Sequence, residues 1–292
     1  MLNKTYFVAI LAVTTATLFA PVPASASPIN LDDLTGSSSP TAIGTVNQDA
    51  VKRIIQDLDT TARESLGTYD RPAQYGTWTT RSNTAVDSFC GTTREDIRNR
   101  DLTDIRYSPD DKCEIEQGVL EYDPYTGHTT EFTRQQSPDL EVEHIVPAEY
   151  HYDMIGHKQT DQERERFFDD SENLMLAGAA SNSSKGSKGP AEWLVPENSA
   201  YICTYIARFS YIADKYHMPV APTDKKAMLQ GIDSCDNTTP TAGAKPPPTS
   251  DATAESPIER IDDFFFREHP GIGIAVILIL GGIASRIATR SK

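Results

Sequence analysis

"DLEVEHIVPAEYH", residues 139–151, places four carboxylates and two histidines in thirteen positions, with a proline in their midst. Leu140 and Val142 alternate with Glu141 and Glu143, the period-two pattern of a half-buried strand. Successive side chains of a regular strand point to opposite faces, which would keep Glu143 and His144 apart. Pro147 has no N–H to give to a sheet ladder, so pairing is expected to fail close to it. A strand that breaks at about Ile145–Pro147 turns Glu143 and His144 towards one centre. Asp139, Glu141, Glu149 and His151 are read as surface or loop residues, and His128 as a surface residue.

The segments around this strand are legible from their periodicity. "NQDAVKRIIQDLDTTARESLG" (47–67) sets Val51, Ile54, Ile55, Leu58 and Ala62 at helical spacing, with Asn47 as cap and Gly67 as stop. "CEIEQGVLEYDPYTGHTTEF" (113–132) reads as a hairpin turning at "DPYTG". "DDSENLMLAGAASNSSKGSKGP" (169–190) carries Asn173 and Asn182 on either side of an apolar run and a small-residue turn. "AYICTYIARFSYIADKYH" (200–217) is expected to be a buried helix, and "TDKKAMLQGIDSC" (223–235) a short final one.

Both ends read as appendages. Residues 1–26 have the cationic start, apolar run and small-residue site of a secretory signal, with cleavage after Ala26, and 27–46 read as a flexible leader. After the domain at 47–235 comes a Pro/Thr/Ala-rich stalk (236–257) with no large apolar residue, then a juxtamembrane segment (258–270). "GIGIAVILILGGIAS" (271–285) spans about 22 Å as a helix, against roughly 30 Å of hydrocarbon, and Ile287 and Ala288 lengthen it. With Arg286, Arg290 and Lys292 beyond, 271–288 reads as a single-pass transmembrane anchor and 289–292 as a cytoplasmic tail. The domain is then extracellular, and cleavage of the stalk would release it.

Four cysteines, Cys90, Cys113, Cys203 and Cys235, lie in the exported part and read as two disulfides. Three pairings are open, and nearest-neighbour pairing is the simplest. The net charge is −15 over 292 residues, and more negative still without Lys4 and the three terminal cations. An acidic exterior repels polyanions at long range. This composition excludes a protein that holds nucleic acid by a basic exterior, and leaves any such contact to local cations or a bound metal.

"EHIVP", "ENLML", "NSSKG" and "GPAEW" follow one another in an order that resembles the HNH, or ββα-metal, nucleases, and among them the secreted branch related to the GmrSD C-terminal domain family. The resemblance extends to "YDRPAQYGTW", "CGTTREDI", "CEIEQGVLEYDPYTG" and "YICTYIARF" with its later cysteine, over residues 67–235. It implies an α+β fold, a ββα-metal core within 113–196 with flanking helices, to which the two disulfides and the C-terminal transmembrane helix read from the residues are added. It implies His144 as general base and Asn173 as the residue that holds the His-bearing loop. Glu143 and Asn182 match the ligands of one divalent metal, Mg²⁺ first, with Mn²⁺ or Ca²⁺ as alternatives. Lys185, Lys188, Arg166 and Arg164 are phosphate-contact candidates, while Arg71, Trp78, Thr93 and Arg94 match family positions and are assigned to packing. One departure is Glu143, where relatives in this branch more often carry Asp. The implied function is a membrane-anchored extracellular endonuclease hydrolysing DNA, with RNA a second candidate, at low sequence specificity. The alternatives are a catalytically weak surface binding module with the same fold, and a defence nuclease acting on incoming DNA. No obligate protein partner is inferred.

Overall fold

Leu31 and Leu34 bury one side of a short helix, α1 (Leu31–Thr35), in a computed structural model that describes residues 30–77, 92–135 and 139–235. All of these lie in Met1–Pro240, the first of two units into which the chain divides. Residues 30–46 are therefore not a loose leader. Leu34 and Val46 enter the core, Arg208 donates to the carbonyls of Ser37 and Ser39, and the Tyr201 hydroxyl donates to the carbonyl of Pro40. Few apolar residues are present, but those few are spaced to reach the core, and buried donors satisfy the backbone between them.

Helix α2 (Gln48–Asp57) starts where the Asn47 side chain accepts the Ala50 N–H, and it buries Val51, Ile54 and Ile55. It stops ten residues short of Gly67 because Asp59–Thr61 leave to pair with Val220 in a parallel bridge. Helix α3 (Arg71–Tyr75) is capped by Asp70 with proline in its first turn, and α4 (Thr93–Asp101) is capped by Thr92.

Strands β1 (Thr103–Tyr107), β2 (Ile115–Leu120) and β3 (Thr130–Thr133) form an antiparallel sheet in that order. The turn beyond β2 is built on Asp123, whose carboxylate accepts the Tyr125 N–H at 3.0 Å and the Thr126 hydroxyl at 2.8 Å. Strand β4 (Leu140–His144) is followed by α5 (Ala148–Met154) and α6 (Asp161–Phe168), the latter opened by a Thr160–Glu163 capping box. Strand β5 (Leu174–Gly178) then pairs antiparallel with β4, His144 opposite Leu174, and runs directly into α7 (Ala179–Lys185). Helix α8 (Ile202–Lys215) buries Tyr205, Ile206, Phe209 and Ile212, and α9 (Pro222–Asp233) packs beside it.

The architecture departs from the expected α+β description. The described residues form a mixed α/β fold with one complete disulfide, Cys203–Cys235, which ties the start of α8 to the end of α9. Cys113 is disulfide-bonded, while its expected partner Cys90 lies outside the described residues. Among the described residues no helix is long and apolar enough to cross a membrane. The segment read as a transmembrane helix, 271–288, lies outside them, as do the signal segment, the stalk and the tail. Residues 148–154, read as loop, are helical, and His151 is fully buried within them rather than at the surface. Its ring stacks on Phe167 at 3.7 Å, and the Tyr75 hydroxyl lies 2.7 Å from Nδ1.

Candidate active site

The β4 ladder ends at His144, and one buried side chain shapes the exit from the strand. Asn173 accepts the Val146 N–H through Oδ1 at 2.9 Å and donates Nδ2 to the Val146 carbonyl at 3.3 Å. Its own carbonyl accepts the Ile145 N–H at 2.8 Å. Residues 145–146 thus leave the strand with their polar groups paired, and Pro147 becomes the N-cap residue of α5. The break falls where the proline demanded it, and Asn173 supplies the hydrogen bonds that the ladder no longer provides.

Helix α7 is aimed at the same place by its two glycine ends. The Gly178 N–H donates to Asp123 Oδ2 at 3.2 Å, and a Cβ at this position would stand 2.7 Å from that oxygen. Gly186 closes the helix at φ 52°, its N–H bonded to the Asn182 carbonyl. Asn182 and Lys185, three residues apart, share one face of α7 and reach back to β4.

Glu143, His144 and Asn182 border a cleft of about 220 Å³, together with Tyr69, Arg71 and Glu149. Glu143 is 5 % exposed, and its Oε1 accepts the Tyr125 hydroxyl at 2.6 Å and Lys185 Nζ at 2.5 Å. Lys185 Nζ also donates to the His144 carbonyl at 2.7 Å. Burial pushes the Lys185 ammonium below its ordinary range, and the Glu143 carboxylate opposes that shift. The same burial, reinforced by Glu143, pushes the Tyr125 hydroxyl well up, so it stays a donor.

His144 packs on the Phe168 ring at 4.5 Å, and its Nε2 lies 2.8 Å from the Phe168 carbonyl. A carbonyl can only accept, so the neutral imidazole carries its proton on Nε2 and leaves Nδ1 unprotonated. Burial pushes the ring down to about 3; the Phe168 carbonyl opposes this, while Lys185 and Arg71 add to it. The imidazole is neutral at physiological pH. Beside it, the Thr93 hydroxyl donates to Asp169 at 2.7 Å and pins the residue after Phe168. Burial raises that carboxyl to about 6.

Two hard oxygens remain for a divalent cation. Glu143 Oε2 has no hydrogen bond from a described residue, and Asn182 donates Nδ2 to Glu141 at 2.8 Å, which leaves its amide oxygen as an acceptor. A carboxylate and an amide oxygen at one solvent-open cleft fit a cation that keeps several waters. Among the described residues no group of three or more His, Cys, Asp and Glu side chains is arranged to hold a metal.

The expected phosphate contacts fare differently. Lys185 is fully buried and bonded to Glu143, so it is not at the surface for a phosphate. Arg164 is engaged by the carbonyls of Gln74, Gly156 and Gln159 and by Asp161. Lys188 and Arg166 are exposed, but neither borders the cleft, and Lys188 donates to the Ser184 carbonyl at the end of α7. Arg71, assigned from sequence to packing, is instead an exposed cation at the edge of the cleft. "DRP" held the signal: a capping Asp and a first-turn Pro set Arg71 at the exposed start of a helix. Tyr125 and Glu141 were also missed, and for them nothing local distinguishes a partner of the site from an ordinary turn or strand residue.

Residues 92–230 match the family described as GmrSD restriction endonucleases, C-terminal domain. This stretch of the chain is similar to the GmrSD C-terminal domain family. Glu143, His144, Asn173 and Asn182 all lie within the GmrSD C-terminal match, whereas Arg71 lies before it. The family description makes a nuclease-like function the coarse reading of the cleft. The chain is also 27 % identical over 152 residues to a protein of Arthroderma benhamiae named as an uncharacterized secreted protein, a match covering 51 % of this chain and 70 % of that one. No solved structure gives a significant match.

Proposed function

We propose that this protein is an exported HNH-type endonuclease that hydrolyses phosphodiester bonds of DNA, with RNA a second substrate, at low sequence specificity. One observation carries the reading: a neutral, oriented imidazole, two unengaged hard oxygens and an exposed guanidinium border a single cleft. His144 accepts a proton from the attacking water at Nδ1 while the Phe168 carbonyl holds its Nε2–H in place. Asn173 fixes the backbone just after His144, and Lys185 fixes the His144 carbonyl, so the base has little freedom to turn away. Glu143 Oε2 and Asn182 Oδ1 would hold the divalent cation, Mg²⁺ or Mn²⁺. When bound, the cation supplies charge neutralisation at the phosphate and at the leaving oxygen. Secretion draws on the signal-like N-terminus and on the name of the Arthroderma benhamiae relative.

A second reading, a binding module with weak catalysis, draws on the Lys185 ammonium, which already neutralises half of the proposed ligand pair. The two separate in one assay. Purified protein is incubated with supercoiled plasmid, single-stranded DNA and RNA across a panel of divalent metals, with chelator and with His144→Ala as controls. Metal-dependent nicking that is lost in His144→Ala is expected. Cleavage by His144→Ala at the parent rate removes the base assignment, and no turnover with any metal leaves the binding module.

A further inference from the structure

Arg71 borders more than the cleft that holds His144. A second trough of about 240 Å³ is lined by Arg71, Arg94, Arg98 and Glu141, and shares Arg71 and Asn182 with the first. Three guanidinium groups thus face one carboxylate, in a chain whose net charge is −15. Arg98 is partly satisfied by Glu95 at 2.6 Å. Arg71 has no hydrogen bond or ion pair to any described residue, and it sits in the first turn of α3, exposed. Burial lowers Arg94 below its ordinary range and Glu95 opposes this, while the like charge of Arg71 adds to the lowering. Like charges held on separate elements around a polar hollow are relieved by an anion, and a guanidinium fork matches two phosphate oxygens at once. Asn182 and Val142 line both hollows, so the two are neighbours across one side chain of α7.

We propose that the arginine trough seats the phosphodiester next to the scissile one, with Arg71 shared between two consecutive phosphates of a bound nucleic-acid strand. This deepens the nuclease reading and rests on it. It also answers the charge problem: binding needs only a small cationic footprint beside the cleft, and the acidic exterior limits contact elsewhere. The footprint is short. Two or three phosphates neutralised give a logarithmic salt slope of roughly −1.5 to −3, far shallower than that of proteins with basic faces.

Binding of a fluorescein-labelled oligonucleotide, in the His144→Ala protein and in magnesium-containing buffer, is followed by anisotropy from 25 to 200 mM salt. Adding Arg71→Ala is expected to weaken binding at least tenfold and to flatten the slope by about 1 or more. Arg94→Ala is expected to weaken it several-fold with a similar flattening. Arg106→Ala, on exposed β1, changes neither. Each variant's melting temperature is measured alongside, and Arg71→Ala should match its parent because the side chain is exposed and has no hydrogen bond or ion pair to a described residue. Equal affinity and slope for Arg71→Ala and its parent overturns the proposal, as does the absence of any binding by the parent. Plasmid nicking by the otherwise wild-type protein tests the nuclease reading separately. Loss of binding on Arg71→Ala without nicking by the wild type keeps the trough and removes the nuclease. Nicking that Arg71→Ala leaves at the parent KM keeps the nuclease and removes the trough.

Discussion

Lys185→Met removes the buried cation paired with Glu143 and leaves a carboxylate behind. The Lys185 side chain is 0 % exposed and that of Glu143 is 6 % exposed, so water does not replace the lost partner. Breaking a buried ion pair from one side costs about 3–5 kcal/mol, because the surviving charge is uncompensated. The Tyr125 hydroxyl still donates to Oε1, which holds the cost near the low end, and the His144 carbonyl loses its donor, which adds about 1 kcal/mol. A loss of about 4 kcal/mol is expected, equivalent to roughly 8–16 °C in melting temperature for a domain of this size. The double variant Lys185→Met with Glu143→Gln removes both charges and should recover at least 2 kcal/mol of that loss, read as the coupling energy in urea denaturation. A buried ammonium does not meet a phosphate, so the salt slope of oligonucleotide binding should stay unchanged. Lys185→Met within 1 kcal/mol of the parent, together with a salt slope reduced by about one phosphate, refutes the buried pairing and returns Lys185 to the surface role suggested by its place in "NSSKG".

Two further outcomes concern stability. His151 is pushed down to about 3 by burial, with His144 and Arg164 adding to the shift. A depressed imidazole contributes stability that is full above pH 6.5 and is lost as pH falls towards 3; the parent should therefore lose about 1.4 kcal/mol per pH unit more than His151→Gln between pH 6 and 4, and equal slopes in denaturation would sink the assignment. The Cys203–Cys235 bridge closes a 32-residue separation, so replacing both cysteines with serine should cost about 3–4 kcal/mol, measured by the same denaturation series; a loss under 1 kcal/mol would mean that α8 and α9 hold together without it.

The sequence carried the backbone of the site further than its electrostatics. Alternation in 139–146 and the proline at 147 were enough to place β4 and its break, because both are local rules of hydrogen bonding. Asn173 was found through its neighbours in a motif, and its bonds to Val146 give that motif a physical cause. The pairing of Lys185 with Glu143 joins residues 42 apart, and no local pattern distinguishes a lysine that folds inward from one that stays in solvent. Arg71 escaped for the opposite reason, since an exposed arginine on a five-residue helix looks unremarkable until the cleft beside it is seen. The early end of α2 and the packing of 30–46 are likewise tertiary effects, set by Val220 and Arg208 from more than 150 residues away.

The Cys203–Cys235 bridge bears on where this protein can be cut. The family match ends at residue 230, between the two cysteines, and begins at 92, after the helices whose Val51 and Ile55 lie wholly buried. A fragment trimmed to that match would carry an unpaired thiol at Cys203, a bared apolar face where α2 had packed on α8 and α9, and no Arg71. The smallest piece worth isolating therefore runs from about residue 30 through Cys235.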